Sequence, residues 1–147
     1  MRVQRAGGTS AVRDVSVMSA SPGIFSTNRQ GTGAGAILHA DTYQLVSNSN
    51  PTRPGGLLAI YCTGLGQLQT PVPFGSIAPT PPPETLATPQ VSIAGIPATV
   101  QFSGLAPGFV GLYQVNVQVP ARVPAGAQNL QIVINGVPSN TVTVAVQ

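Results

Sequence analysis

The sequence predicts an all-β chain, on three observations. The run Gly111-Leu112-Tyr113-Gln114-Val115-Asn116-Val117-Gln118-Val119-Pro120 has two distinct faces. Tyr113, Val115, Val117 and Val119 fall on one side of a period-two ribbon, and Gln114, Asn116 and Gln118 on the other, so one face is core and the other neutral amide. Runs of strand length recur between Gly, Pro and Asn turn signals, and no long helix-period stretch interrupts them. A tyrosine opens the strand two residues before a buried position, the arrangement that pins a loop at a sheet corner in immunoglobulin-like folds. The fold class that follows is an immunoglobulin-like two-sheet β-sandwich with a long Pro-rich loop and an N-terminal strand-like arm. Tyr113 is its structural corner.

The elements follow in chain order. Strands are predicted near residues 12 to 18, 34 to 39, 42 to 47, 57 to 63, 90 to 94, 96 to 103, 112 to 119, 129 to 134 and 141 to 146, a number and spacing that suit a sandwich. In the segment Leu58-Ala59-Ile60-Tyr61-Cys62, the cysteine shares a face with Leu58 and Ile60 and reads as a small buried hydrophobe; its odd count leaves an intermolecular disulfide or a reactive thiol as the alternative. A two-residue Ala94-Gly95 turn sets Ile93 opposite Ile96 and Val91 opposite Ala98, with Val100 and Phe102 continuing that face. Asn135-Gly136 is a stronger turn pair and sets Ile134 opposite Val137. Val142, Val144 and Val146 are out of phase with Val137, so the chain must lose one residue of register near Pro138 to Asn140.

Composition bounds the domain count. With 147 residues the chain suits one domain: residues 1 to 18 as an arm able to act as a donated strand, and residues 19 to 147 as the sandwich. Only nine residues are charged, six basic and three acidic, and none is lysine; 32 are Gly or Pro. That is far below the roughly 25% charge of an ordinary soluble domain. Abundant Val and Ile argue for folded β structure rather than disorder. Arg2, Arg5 and Arg13 place half of the arginines in the arm, too sparse and too free of stacking aromatics for nucleic acid. Residues 1 to 30 lack the apolar stretch of a signal peptide, and the longest apolar run, Leu57 to Tyr61, is far short of the ~20 residues of a membrane span. The lysine-free, Thr/Asn/Gln-rich style points to an exported, extracellular or cell-surface chain. Residues 64 to 89 hold seven prolines and no confident strand, and read as a stiff, extended excursion across the surface.

Five blocks resemble a known family: Ser21-Pro22-Gly23-Ile24-Phe25; Pro54-Gly55-Gly56-Leu57 running into Tyr61-Cys62-Thr63-Gly64-Leu65-Gly66; Ile93-Ala94-Gly95-Ile96-Pro97-Ala98; Gly104-Leu105-Ala106-Pro107-Gly108; and Gly111 to Val117. In order, over about residues 15 to 147, they are similar to the uncharacterised Solibacter-type C-terminal domain family. The resemblance implies an immunoglobulin-like module at the ends of large secreted or surface proteins, often behind repeats, with no assigned activity. Residues 1 to 14 lie outside it.

Chemistry-bearing residues are few. His39, Cys62, Asp14, Asp41, Glu84, three tyrosines and six arginines are the titratable set. His39 and Asp41 stand two apart, and no strained G-x-S-x-G serine accompanies them, so a hydrolytic triad is not expected. Clustered ligands for zinc or calcium are missing, and no cofactor is expected. Gly31-Thr32-Gly33-Ala34-Gly35 lacks the lysine and following helix of a phosphate loop and reads as a flexible hairpin or a close backbone approach.

What remains points to partners. Most predicted strands carry no charge to guard an edge. Gln101, Gln114, Asn116, Gln118, Asn129 and Gln131 are expected to form a neutral interface face, and Val12, Val15 and Val17 to form the strand that the arm donates to a neighbouring copy. The leading expectation is a non-catalytic, extracellular structural or adhesive module that self-assembles into a filament by β-strand addition. The alternative is a carbohydrate-binding or spacer module of a larger surface protein, with Tyr43, Phe74 or Phe109 as a stacking platform.

Overall fold

The computed structural model describes residues 2–147. Two short strands in the arm, β1 (Gln4–Arg5) and β2 (Gly8–Thr9), pair as an isolated hairpin. The remaining strands are β3 (Gly23–Ile24), β4 (Ile37–His39), β5 (Leu57–Thr63), β6 (Gln90–Ile93), β7 (Ile96–Leu105), β8 (Tyr113–Gln118), β9 (Gly126–Ile134), β10 (Val137–Pro138) and β11 (Val142–Val146). No helix occurs among the described residues. Every pairing between these strands is antiparallel, in the order β10-β9-β6-β7-β8-β5-β3, with β11 also on β9 and β4 also on β5.

β7 belongs to both layers of the fold. Its beginning pairs with β6 through Ile93↔Ile96 and Val91↔Ala98, the register expected from the turn, and its later part pairs with β8 from Thr99↔Gln118 to Leu105↔Tyr113. The sheet therefore curls on itself. One layer holds β6, β9, β10 and β11, and the other holds β3, β4, β5 and β8. Inward side chains from both meet in a single core that includes Leu58, Ile60, Cys62, Ile93, Val115, Val117, Leu130, Ile132, Ile134 and Val142. Each such Val, Leu or Ile contributes roughly 1.5–3 kcal/mol on removal from water.

The register loss near Pro138 is present. Ile134↔Val137 and Val133↔Pro138 keep one phase, whereas Val142↔Leu130 begins another, displaced by one residue. Ser139 bridges the slip: its N–H donates to the Ile132 carbonyl at 2.7 Å, and its hydroxyl accepts the Ile132 N–H at 3.0 Å. Asn140 then turns inward to the other layer.

A second slip alters an expectation. Between Val100↔Val117 and Phe102↔Asn116 the chain bulges at Gln101. The extra residue reverses the pleat, so Phe102 does not continue the core face of Val100 but joins the outer face with Asn116.

Three predicted strands are corrected. Residues 12 to 18 form none, and all of residues 2 to 19 are exposed. Val12 lies out of phase with Val15 and Val17, and no edge of the same molecule receives them, so period-two spacing alone cannot hold a strand. The segment 42 to 47 contributes only the bridges Leu38↔Leu45 and Ser47↔Asn50, because the chain reverses at Tyr43, whose φ is 56°. The predicted 34 to 39 strand is cut to Ile37–His39: Gly33 and Gly35 turn aside to bond Thr143 instead.

The sheet rims are guarded without charges, which corrects the expectation of unguarded edges. β11 is flanked on its outer side by backbone bonds to Gly33, Gly35 and Thr52. The later part of β7 is flanked by Pro83 to Thr85, through Leu105 N–H to the Pro83 carbonyl and Thr85 N–H to the Ser103 carbonyl. The two hairpins share one device. Ala94-Gly95 and Asn135-Gly136 both have two successive positive φ values, the type I′ geometry, and each is followed one residue later by proline, Pro97 and Pro138. Residues flanking such a turn exchange both hydrogen bonds, so the next pair, Ser92↔Pro97 or Val133↔Pro138, aims its free backbone groups outward. A proline there offers no N–H to an approaching strand.

Candidate functional site

The outer face of the β4-β5-β8-β7 layer gathers aromatic rings and amides in rows set by strand register. On β5, Leu58, Ile60 and Cys62 point inward, which sends Leu57, Ala59 and Tyr61 to the other side, where Leu57 and Tyr61 reach the surface and the small Ala59 is fully covered by its neighbours. Tyr61 lies opposite Gln114, and Gln114 lies opposite Gly104. On the other flank of Tyr61, the Phe25 N–H donates to the Tyr61 carbonyl at 3.1 Å, placing Phe25 in the same row. The adjoining row runs Leu38, Ala59, Asn116, Phe102.

Gly104 shapes this surface. A Cβ built there would lie 2.7 Å from Cζ of Phe102 and would overlap the Pro83 carbonyl, so only glycine lets the Phe102 ring lie down beside Gln114. The Tyr61 row thus reads ring, ring, amide, ring. Gln114 Nε2 donates to Asn116 Oδ1 at 2.8 Å, which orients both amides and leaves the Gln114 carbonyl and the Asn116 NH₂ turned to solvent. Gln118 Nε2 donates to the Gly55 carbonyl at 3.3 Å. Burial raises the Tyr61 phenol above its ordinary pKa, and the neighbouring phenol of Tyr43 raises it further, so Tyr61 is a neutral hydrogen-bonding group near pH 7. Tyr43 projects from the turn after β4 and is 69% exposed. Charge sits at the ends: Glu84 bridges Gly104 beyond Phe102, and Asp41 occupies the turn that carries Tyr43.

The expected amide face divides. Gln114, Asn116 and Gln118 belong to this surface, Gln101 is the exposed bulge residue, and Asn129 and Gln131 lie on the other layer. Gln131 Nε2 donates to the Ser139 carbonyl at 3.1 Å. Val12, Val15 and Val17 are 60%, 59% and 94% exposed on the arm, which joins the sandwich where the Ser21 N–H donates to the Gly64 carbonyl. Tyr113 does pin a loop: its hydroxyl donates to the Gly66 carbonyl at 2.6 Å.

The 64 to 89 segment folds back on itself through Leu68↔Thr85 and crosses to β7 through Glu84↔Gly104. Its far end walls an open groove of about 580 Å³, with Pro71, Pro73, Ile77, Pro79, Pro81 and Pro82 in the lining. Phe74 stands fully exposed beside it, and Phe109 is joined to it by the Ala78 N–H to Phe109 carbonyl bond.

The titratable residues are dispersed. Cys62 is fully buried, and burial pushes its thiol up to about 12. His39 Nε2 bonds the Asn50 carbonyl at 3.2 Å, with Asp41 in no ion pair to it. Among the described residues no three His, Cys, Asp or Glu side chains cluster for a metal ion. In the glycine loop, the Gly31 N–H donates to Ser26 Oγ and the Gly35 N–H to the Thr143 carbonyl, so these amides are spent on the chain itself, which favours the close approach over the flexible hairpin of the two expected forms. No helix of the described residues is long and apolar enough to cross a membrane.

Sequence reasoning missed Phe25, Tyr61 and Phe102 as surface groups. Tyr61 carried a signal, because it alternates with Ile60 and Cys62. Phe102 carried none, because its place depends on the bulge. No family model, curated protein or solved structure matches the chain.

Proposed function

We propose that this chain is a non-catalytic structural or adhesive module acting outside the cell, in keeping with its resemblance to the Solibacter-type C-terminal domains, and that it assembles through its N-terminal arm. The observation that carries the reading is the exposure of Val12, Val15, Val17 and Met18 in a segment that forms no strand with its own sandwich. Four large apolar side chains in water favour a partner at roughly 25 cal/mol per Å² of area covered.

The guarded rims shape the mode of assembly. Strand addition along β7 or β10 meets Pro97 or Pro138, so the arm gains little from sheet hydrogen bonding there. The proline-walled groove of a second copy suits it better: the groove is apolar, its walls are stiff, and an extended segment docks there without ordering the walls. Such a head-to-tail contact propagates unless its rotation closes a ring.

Light scattering with size exclusion over a concentration series tests this reading. The expected result is concentration-dependent growth in mass for the full chain, abolished by V15D/V17D. A monomer at every concentration, with residues 2 to 18 cut readily by protease, overturns it.

A further inference from the structure

We propose that the outer face of the β4-β5-β8-β7 layer is a binding site for a neutral polysaccharide, laid as an extended chain across the strands over Tyr61, Gln114 and Phe102. The inference is independent of assembly through the arm.

The spacing comes first. Tyr61 on β5 and the Phe102 ring on β7 lie two strands apart, with Gln114 on β8 between them. Strands stand about 4.8 Å apart, so the two rings are roughly 10 Å apart, on the scale of a disaccharide. The apolar C–H face of one sugar ring can cover each aromatic, while the amide between them meets the intervening hydroxyls. Phe25 extends the platform by one further position.

The hydrogen-bonding groups are matched to hydroxyls. Because one N–H of Gln114 Nε2 is given to Asn116 Oδ1, the two side chains are held in place while the pair still presents the Gln114 carbonyl as acceptor and amide N–H groups as donors. A sugar hydroxyl both donates and accepts, and satisfies such a pair without any ion. The phenols of Tyr61 and Tyr43 add two more groups of the same dual kind. Amides already locked by their own hydrogen bond, and a ring held down over Gly104, cost little ordering when a ligand arrives.

Charge decides the class of polymer. No cation stands in either row, and the carboxylate of Glu84 stands at one end, opposite Gly104. A uronate-rich polymer or a nucleic acid meets repulsion there, whereas a neutral glycan meets a further acceptor. A folded protein partner would need more contiguous apolar area than these rows provide, since amides interrupt the rings.

Native affinity electrophoresis of the full chain through gels containing a soluble β-glucan, xylan or mannan tests the site, with polygalacturonate as the acidic comparator. The expected result is retardation by at least one neutral polymer and not by polygalacturonate. Tyr43→Ala and Gln114→Ala should each weaken it roughly tenfold, the worth of one good contact, at unchanged melting temperature. Phe74→Ala and Phe109→Ala, at the proline-rich groove, should leave it unchanged. Absence of retardation by all three neutral polymers, equal retardation by polygalacturonate, or retardation indifferent to both Tyr43→Ala and Gln114→Ala overturns the proposal.

Discussion

The Tyr113 hydroxyl donates a 2.6 Å hydrogen bond to the carbonyl of Gly66, 47 positions earlier, and thereby fastens the start of β8 to the root of the proline-rich loop. Gly66 has φ +88°, and a Cβ there would lie 2.5 Å from the Ser19 carbonyl oxygen, so the same point also receives the base of the arm.

Tyr113→Phe should lower stability by about 1–2 kcal/mol, since the Gly66 carbonyl loses its partner in a half-buried place. Urea denaturation measures this, and hydrogen exchange should show lost protection in residues 64 to 69 ahead of the core strands. Gly66→Ala should cost more, because the backbone itself must move.

Alkaline pH should unfold the protein through Cys62. Its thiol ionises near 9.0 when unfolded and is pushed up to about 12 by burial. A raised folded value favours the neutral form, so stability is whole below pH 9 and falls as pH climbs from there towards 12, on the order of 4 kcal/mol over the full window. Tyr61 and Tyr113, both raised chiefly by burial, add a loss of the same sign above pH 10. The chain has no lysine to titrate in that window. Urea midpoints from pH 8 to 11 should fall steeply for the natural chain and much less for Cys62→Ala; equal slopes would contradict the assignment.

Thr52→Val should be neutral or stabilising by up to about 1 kcal/mol. Thr52 is buried, its Oγ1 is the one buried side-chain polar atom among the described residues with no hydrogen-bond partner, and valine has nearly its shape. The backbone bonds of Thr52 to Ala145 and Gln147 do not depend on the hydroxyl. A loss beyond 1 kcal/mol by thermal or urea unfolding would mean the hydroxyl is satisfied in solution.

The two type I′ turns should respond in opposite senses to exchange of their first residue. Ala94 holds φ 53° and Asn135 φ 51°, a region costing alanine roughly 1 kcal/mol and asparagine less. Asn135→Ala should therefore destabilise by about 1 kcal/mol, and Ala94→Asn should stabilise by up to that amount. Melting curves of the two variants decide the matter.

Legibility followed locality. Turn pairs with a flanking period-two pattern were readable: Ile93↔Ile96, Ile134↔Val137 and even the slip after Pro138 are local consequences of which side each valine faces. Features set by non-local pairing were not. Gly23–Ile24 is a strand only because Cys62 and Thr63 stand opposite, and Glu84 meets Gly104 across a stretch that reads as featureless proline-rich chain. For the binding face, the outward amides of β8 were legible from alternation alone. Their aromatic neighbours were not, because Phe102 arrives there by a one-residue bulge at Gln101.

Asn140 gives the molecule its latch. The slip after Pro138 frees its side chain to imitate a peptide group: Oδ1 accepts the Ile24 N–H at 2.7 Å, and Nδ2 donates to the carbonyls of Ile24 at 3.0 Å and Gly31 at 2.6 Å. With Thr143 and Val146 lying against residues 33 to 35 and Thr52, the ends of the sandwich meet only across more than ninety intervening residues. A nascent chain therefore holds an open, water-exposed trough of valine and isoleucine until Asn140 and β11 have emerged from the ribosome, and depends on its surroundings to keep that trough from sticking to others during synthesis.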